Sequence, residues 1–463
     1  MTVDGVDYAA LARAVDGRVF LPGSAGFRVG SKLFNTRYRD RAPAAVLTAA
    51  HTADVRRALL WAREEGVPVV ARNGGHSFAG YSVGDGLVID LSRLTETRAD
   101  GSTGLVVAGG GAKISHVYDA MQPHEMVFST GTSPTVGVAG LALGGGAAFA
   151  ARRYGLTADA LVETTVVLAD GTLAVCNERE NPDLFWACKG GGGGNFGINV
   201  SLTFQAHPVP DVTTFSLTWK WADAAAVLDA GQRMVRQAPD DFAARLGVWT
   251  HGTGLGAIRD NAEVTLQGQF FGPADACLEI LDPVLSAAAP ATRDVTERTF
   301  WEANKYMVHA TSGDQFALRS NYIREPLRGD GVDTLLSWVE RWPGSHNPDG
   351  GGAGLFSWGG AINRVAPDAT AFVHRDTLFL VSMDTSWTDD DGPDRVAANL
   401  DWLNGLHAAM APHVTGSAYQ NFVDPELTDW REAYYGANYA RLVQVKQKYD
   451  PEGVFSFDQA VGS

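Results

Sequence analysis

Val55, Leu59 and Ala62 fall on one helical face, which predicts a helix over about residues 53–65. Thr52 is placed to cap it, Asp54 sits favourably near its N-terminus, and Gly66 supplies a stop. Short apolar runs flank this helix at residues 44–49 and 67–71. The chain is therefore expected to open β-α-β and to run directly into Arg72-Asn73-Gly74-Gly75-His76-Ser77. Farther on, residues 162–169 and 172–176 flank Asp170-Gly171 and predict a hairpin closed by a two-residue turn. Residues 202–210 predict a strand ending at a proline-containing domain edge. From there to about residue 412 aromatic and polar positions alternate, as in Phe215-Ser216-Leu217-Thr218-Trp219, and residues 377–387 read as a further strand. This middle region predicts a sheet with helices on one face. Helical spacing returns at Trp430, Tyr434, Tyr435, Tyr439 and Leu442, giving a helix over 427–448 that Asp450-Pro451 ends.

Composition narrows the function classes. With 463 residues, 45% hydrophobic and 19% charged, the chain fits a multi-domain globular protein with a sizeable core. Its formal charge of −16, without a basic stripe, argues against a nucleic-acid partner and against an anionic membrane surface. Cys176, Cys188 and Cys277 have no CxxC spacing, so neither a disulfide framework nor a zinc site is expected, and no metal is assigned. The acidic start has no basic segment followed by an apolar run, and no stretch of about 20 apolar residues is present, so the expected location is cytoplasmic.

The 53 glycines cluster, and clustering calls for backbone close to something. Gly74-Gly75-His76 can form an anion nest, with Arg72 adding charge, or a simple turn. Residues 130–146 carry so much glycine that no regular element is expected there; a flat cofactor or tight helix packing would account for it. Asp183-Leu184-Phe185-Trp186-Ala187 leads into five consecutive glycines, Gly190 to Gly194, then Asn195, Phe196 and Gly197. There is no G-x-x-x-x-G-K-[ST] and no G-x-G-x-x-G opening a helix after the first strand, so a P-loop and an ordinary nicotinamide site are both disfavoured. The stacked tyrosines of Tyr434-Tyr435-Gly436-Ala437-Asn438-Tyr439 are ordinarily core residues.

Taken in order, these segments resemble the berberine bridge enzyme-like flavoproteins of the vanillyl-alcohol oxidase superfamily. The resemblance is strongest over residues 68–210 and 419–459, where Asp183 to Ala187 and Tyr434 to Asn438, followed by Arg441-Leu442, Val445-Lys446 and Tyr449-Asp450-Pro451, carry it. It implies an α+β fold: a two-part FAD-binding lobe (1–209 and 413–463) and a substrate lobe (210–412) with an antiparallel sheet covered by helices. It also implies FAD linked covalently through His76. Arg72, Asn73, Gly74, Gly75 and Ser77 match the loop around the pyrophosphate. Gly131, Thr132, Ser133, Thr135, Val136, Gly137 and Gly140 match the second flavin segment. Ile198 and Val200 match the adjacent strand, and Tyr435 and Asn438 the residues near the ring.

Two departures from the family matter. Ser133 stands where many relatives have a cysteine bonded to flavin C6, and a hydroxyl cannot form that thioether. Phe422, in Tyr419-Gln420-Asn421-Phe422, stands where relatives have the tyrosine that accepts the substrate proton. Tyr419 is the leading replacement base, on a strand that puts it on the same face as Asn421; Tyr322, Asp384 and His374 are weaker candidates. Val136 matches the residue that admits oxygen in oxidases. The resemblance thus implies an oxidase that passes hydride from a small organic substrate to flavin N5 and then to O₂, releasing H₂O₂. A natural-product alcohol, amine or phenol is the expected substrate. A sugar or oligosaccharide is the alternative, with the 12 tryptophans as stacking platforms.

Overall fold

A computed structural model describes residues 2–3, 5–251, 261–308 and 315–463. Three sheets carry the fold. The first has four strands in the order Arg18–Phe20, Ala45–Thr48, Leu87–Asp90, Val69–Arg72; the first pair is antiparallel and the others parallel. Helix Thr52–Glu64 packs on it through Val55, Ala58, Leu59 and Ala62, the face that the spacing predicts. Thr52 is not its cap. His51 holds that position without a side-chain bond, and Asp54 instead turns back to accept from the amides of Asp16 and Ala50, both at 2.9 Å. The helix stops at Gly66, whose φ of +66° takes the left-handed conformation.

The second sheet is antiparallel, with five strands in the order Leu173–Cys176, Leu161–Val167, Ile198–Gln205, Leu105–Gly109, Thr97–Asp100. Its predicted hairpin is present, but the loop runs from 168 to 172. Asp170 accepts from the Thr172 amide at 2.8 Å, and Gly171 is left-handed at φ +80°. The strand expected over 202–210 begins earlier, at Ile198, and stops at Gln205; His207–Pro208 pairs separately with Met126–Val127.

The third sheet has seven antiparallel strands and draws all of them from residues 212–387. Phe215, Leu217, Leu246, Val248, Leu355, Val381 and Met383 point to one side. There they pack under helices Ala224–Gln237, Ala274–Ala287, Gly329–Val339 and Pro393–Met410. The alternate residues on these strands, among them Arg245, Phe356 and Leu380, face the first two sheets. This is the mixed helix and antiparallel-sheet fold that the resemblance implies. Gly351 and Gly352 begin a strand of this sheet.

Two elements depart from expectation near the site. The glycine-rich stretch 130–146 does contain a regular element, helix Val138–Leu143: Gly140 lies within it, the other glycines flank it, and Val138, Ala139, Ala142 and Leu143 bury one face. The C-terminal helix is broken into Trp430–Tyr435 and Tyr439–Tyr449 by Gly436 at φ +47°. No helix among the described residues is long and apolar enough to cross a membrane.

Candidate active site

A cavity of about 540 Å³ lies where the three sheets meet, and the glycine segments and the third sheet wall it. Its size is that of a small-molecule site. Gly74, Gly75, His76 and Ser77 enter it from the end of strand Val69–Arg72. A Cβ on Gly74 would lie 2.8 Å from Thr135 O and from Gly137 N, and one on Gly137 would lie 2.4 Å from Asn73 Cγ. These glycines therefore let the first two flavin segments pack backbone to backbone. Asn73 locks them by donating to Gly110 O at 2.6 Å and Ala112 O at 3.1 Å. Arg72 braces the turn from behind. Its guanidinium donates to Lys32 O at 2.6 Å and reaches Asp90 at 3.4 Å, so its charge is directed into the fold.

His76 stacks on Phe34, with centroids 4.2 Å apart, and its Nε2 lies 3.0 Å from Thr135 Oγ1. Burial, helped by the nearby charges of Lys113 and Arg72, lowers its pKa to about 4, so the imidazole is neutral at physiological pH. In the neutral tautomer whose Nε2 donates to Thr135 Oγ1, Nδ1 keeps its lone pair and is the nucleophilic nitrogen.

The five-glycine run divides in two. A Cβ on Gly190 would lie 2.5 Å from the Phe372 backbone, and one on Gly191 would lie 2.5 Å from Ala187 O, so these two are small because chain packs on chain. Gly193 and Gly194 have nothing within 3.7 Å of such a Cβ and line the cavity. Lys446 fixes this loop to the tail: its ammonium donates to Asn195 O at 2.7 Å, Phe455 O at 2.6 Å and Asp450 at 2.6 Å. Tyr435 donates to Gly191 O at 3.2 Å and lines the cavity.

Of the residues assigned to the cofactor, Gly131, Thr132, Ser133, Val136, Gly137, Gly140 and Ile198 also border the cavity. Three do not. Thr135 acts through His76, Val200 is packed in the core of the first sheet, and the Asn438 amide is spent on Pro367 O and Thr370 O at 2.8 and 3.2 Å. The pattern missed Phe34, Asn199, Arg245, Phe356, Phe457 and Gln459, all of which line the cavity. An arginine among apolar neighbours in Phe242-Ala243-Ala244-Arg245-Leu246 was the one available signal for Arg245.

Tyr419 to Phe422 form a turn and not a strand, with the Phe422 amide bonded to Tyr419 O at 2.8 Å. Both rings therefore reach the cavity. The Tyr419 hydroxyl accepts from Gly146 N at 2.9 Å and Asn421 Nδ2 at 3.1 Å. Burial raises its pKa to about 12 against these two bonds. Tyr322 and His374 stack on each other, buried and away from the cavity wall, and His374 Nε2 is paired with Tyr434 O. Asp384 lies on the sheet face that looks toward the flavin-binding part but does not line the cavity; burial lifts its carboxyl to about 7.

The glycine cradle, the neutral histidine and the covering antiparallel sheet form an enclosed site of the kind that holds a small molecule or cofactor. A model of an FAD binding domain matches residues 43–177, and one described as berberine and berberine like matches residues 418–462. An FAD-linked oxidoreductase of Bacillus subtilis, YgaK, is 34% identical over 432 residues, covering 91% of this chain and 92% of that one. Glucooligosaccharide oxidase of Sarocladium strictum is 30% identical over 464 residues, covering 93% and 89%. The solved structure of Physcomitrella patens BBE-like 1 superposes with a TM-score of 0.88 at 27% identity, covering 98% of each chain. The chain belongs to the berberine bridge enzyme-like family of FAD-linked oxidoreductases, in the vanillyl-alcohol oxidase superfamily.

The residues present fit FAD. Among the described residues Asn73 Oδ1, Tyr81 Oη, Gln420 Oε1 and Gln459 Oε1 are buried without a hydrogen-bond partner, and all four side chains line the cavity. Buried polar atoms need partners, and a flavin dinucleotide offers donors and acceptors along its length.

Proposed function

We propose that this protein oxidises a small aromatic alcohol, amine or phenol, with FAD anchored on His76. The observation that carries the substrate reading is the cavity wall. Phe34, Phe78, Phe356 and Phe422 all border the cavity. Phe78 stacks on Phe422 at 5.4 Å, and Phe356 meets Phe422 edge-on at 6.3 Å. Such a wall favours a planar apolar body. The alternative, an oligosaccharide, is favoured by relatives that are oligosaccharide oxidases. It would need open aromatic platforms. Among the described residues Trp358 is the one tryptophan bordering the cavity; it is 1% exposed and packed against Tyr322 and Tyr419.

Bound FAD supplies the two-electron acceptor, which O₂ regenerates with release of H₂O₂. The chain's own residues orient the substrate and take its proton. Of the four candidate bases, Tyr419 is the one that borders the cavity. Its two donors, Gly146 N–H and Asn421, stabilise the phenolate that accepts the proton. Val136, also on the wall, controls oxygen access. Oxygen uptake by the holoenzyme on a paired panel of benzylic and cinnamyl alcohols and of cello- and xylo-oligosaccharides tests the reading. Turnover confined to the aromatic compounds is expected; turnover confined to the sugars would overturn it.

A further inference from the structure

Arg245 occupies the cavity-facing side of strand Phe242–Thr250, while its neighbours Ala244 and Leu246 are buried beneath the helices. The guanidinium lies between two rings, 4.7 Å from the centroid of Trp249 and 4.8 Å from that of Phe356. It can lie flat because its neighbours have no side chains. A Cβ on Gly354 would come 2.9 Å from Arg245 Nε, and one on Gly247 would come 2.0 Å from Trp249 Nε1.

Cation–π contacts leave the in-plane N–H donors of the guanidinium for an acceptor at its edge. No such acceptor is found among the described residues. The Arg245 side chain makes no hydrogen bond there, and its Nε is buried. Asp384, two strands away, is felt electrostatically but forms no ion pair at 4.0 Å or less. A cation on the cavity wall with its Nε buried and unpaired is costly unless a ligand pairs with it.

We propose that Arg245 receives a carboxylate of the substrate, so that the compound oxidised is an aromatic acid carrying the reacting alcohol, amine or phenol. This rests on the aromatic-substrate reading above. The fork of Arg245 matches the two carboxylate oxygens. The Phe356 ring then separates the acid end from the phenylalanine-lined end where Tyr419 stands.

The test uses the holoenzyme and follows the perturbation of its flavin absorbance on titration with cinnamate and with cinnamamide, which has the same shape without the charge. Cinnamate is expected to bind about 10- to 100-fold more tightly, the factor that a charge-assisted pair carries at a desolvated site. Arg245→Gln should bring cinnamate to the level of the amide. Arg245→Lys, which keeps charge and bulk, should retain part of the preference, and it serves as the comparison if the glutamine variant fails to fold. Equal binding of acid and amide by the wild type overturns the carboxylate assignment alone. Binding of neither overturns it together with the aromatic reading.

Discussion

Removing one oxygen from Tyr419, in Tyr419→Phe, separates its proposed chemical role from its structural one. The ring contacts with Phe422, Phe372 and Trp358 survive. The lost hydroxyl takes with it the acceptor for Gly146 N–H at 2.9 Å and for Asn421 Nδ2 at 3.1 Å. Gly146 N–H is left buried and unpaired, which costs about 1–3 kcal/mol, while Asn421 keeps its bond to Leu141 O. The variant should thus be measurably less stable yet folded. Anaerobic stopped-flow reduction of the flavin by an aromatic alcohol should slow by roughly 10²–10⁴-fold, the scale of a lost general base. The pH profile adds a readout that a packing defect would not move. With the hydroxyl raised to about 12, the proton-accepting form grows tenfold per pH unit throughout the neutral range. The wild-type reduction rate should therefore climb steadily with pH, and the variant's should not. A plateau above pH 7 would instead fit Asp384, whose carboxyl titrates at about 7. Such a plateau, or a variant reduced within about threefold of the wild-type rate, refutes Tyr419 as the base.

Three further outcomes follow from the geometry. Val136→Leu should slow reoxidation of the reduced enzyme by O₂ while sparing anaerobic reduction, measured by stopped flow in aerated buffer; equal reoxidation rates place the oxygen path elsewhere. Lys446→Met removes the donor to Asn195 O and Phe455 O and leaves the buried Asp450 carboxylate with the Val454 and Phe455 amides but no cation; about 3 kcal/mol of destabilisation is expected in urea unfolding of the holoprotein. Gly137→Ala places a Cβ on the Asn73 amide, breaks its bonds to Gly110 O and Ala112 O, and should lower the flavin-to-protein absorbance ratio of the purified enzyme.

Elements that bury one face were legible from the sequence. The spacing of Val55, Leu59 and Ala62 and the alternation of Phe215, Leu217 and Trp219 state directly which side meets a core. Glycine clusters pointed to the cavity, but not to which glycines serve the ligand. Gly190 and Gly193 look alike in sequence, and only the three-dimensional packing separates the one pressed on Phe372 from the one open to the cavity. The turn at Tyr419 to Phe422 was hidden because the residues that shape it, Gly146, Leu141 and Ser320, are distant in the chain. The aromatic wall was hidden for the same reason: Phe34, Phe78, Phe356 and Phe422 come from four separate segments. Arg245 is a single charge in an apolar strand, and its environment of Trp249, Phe356 and two glycines exists only after the strands pair.

The central claim is that His76 anchors FAD inside this cavity. Its neutral imidazole is held by Phe34 and Thr135, with one nitrogen left free. The most direct test is the mass of peptides from acid-precipitated, proteolysed protein. The account predicts a flavin-modified peptide containing His76, and its absence in His76→Ala, where flavin should leave on denaturation. An unmodified His76 peptide from the wild type, with all the flavin free in the supernatant, would contradict it.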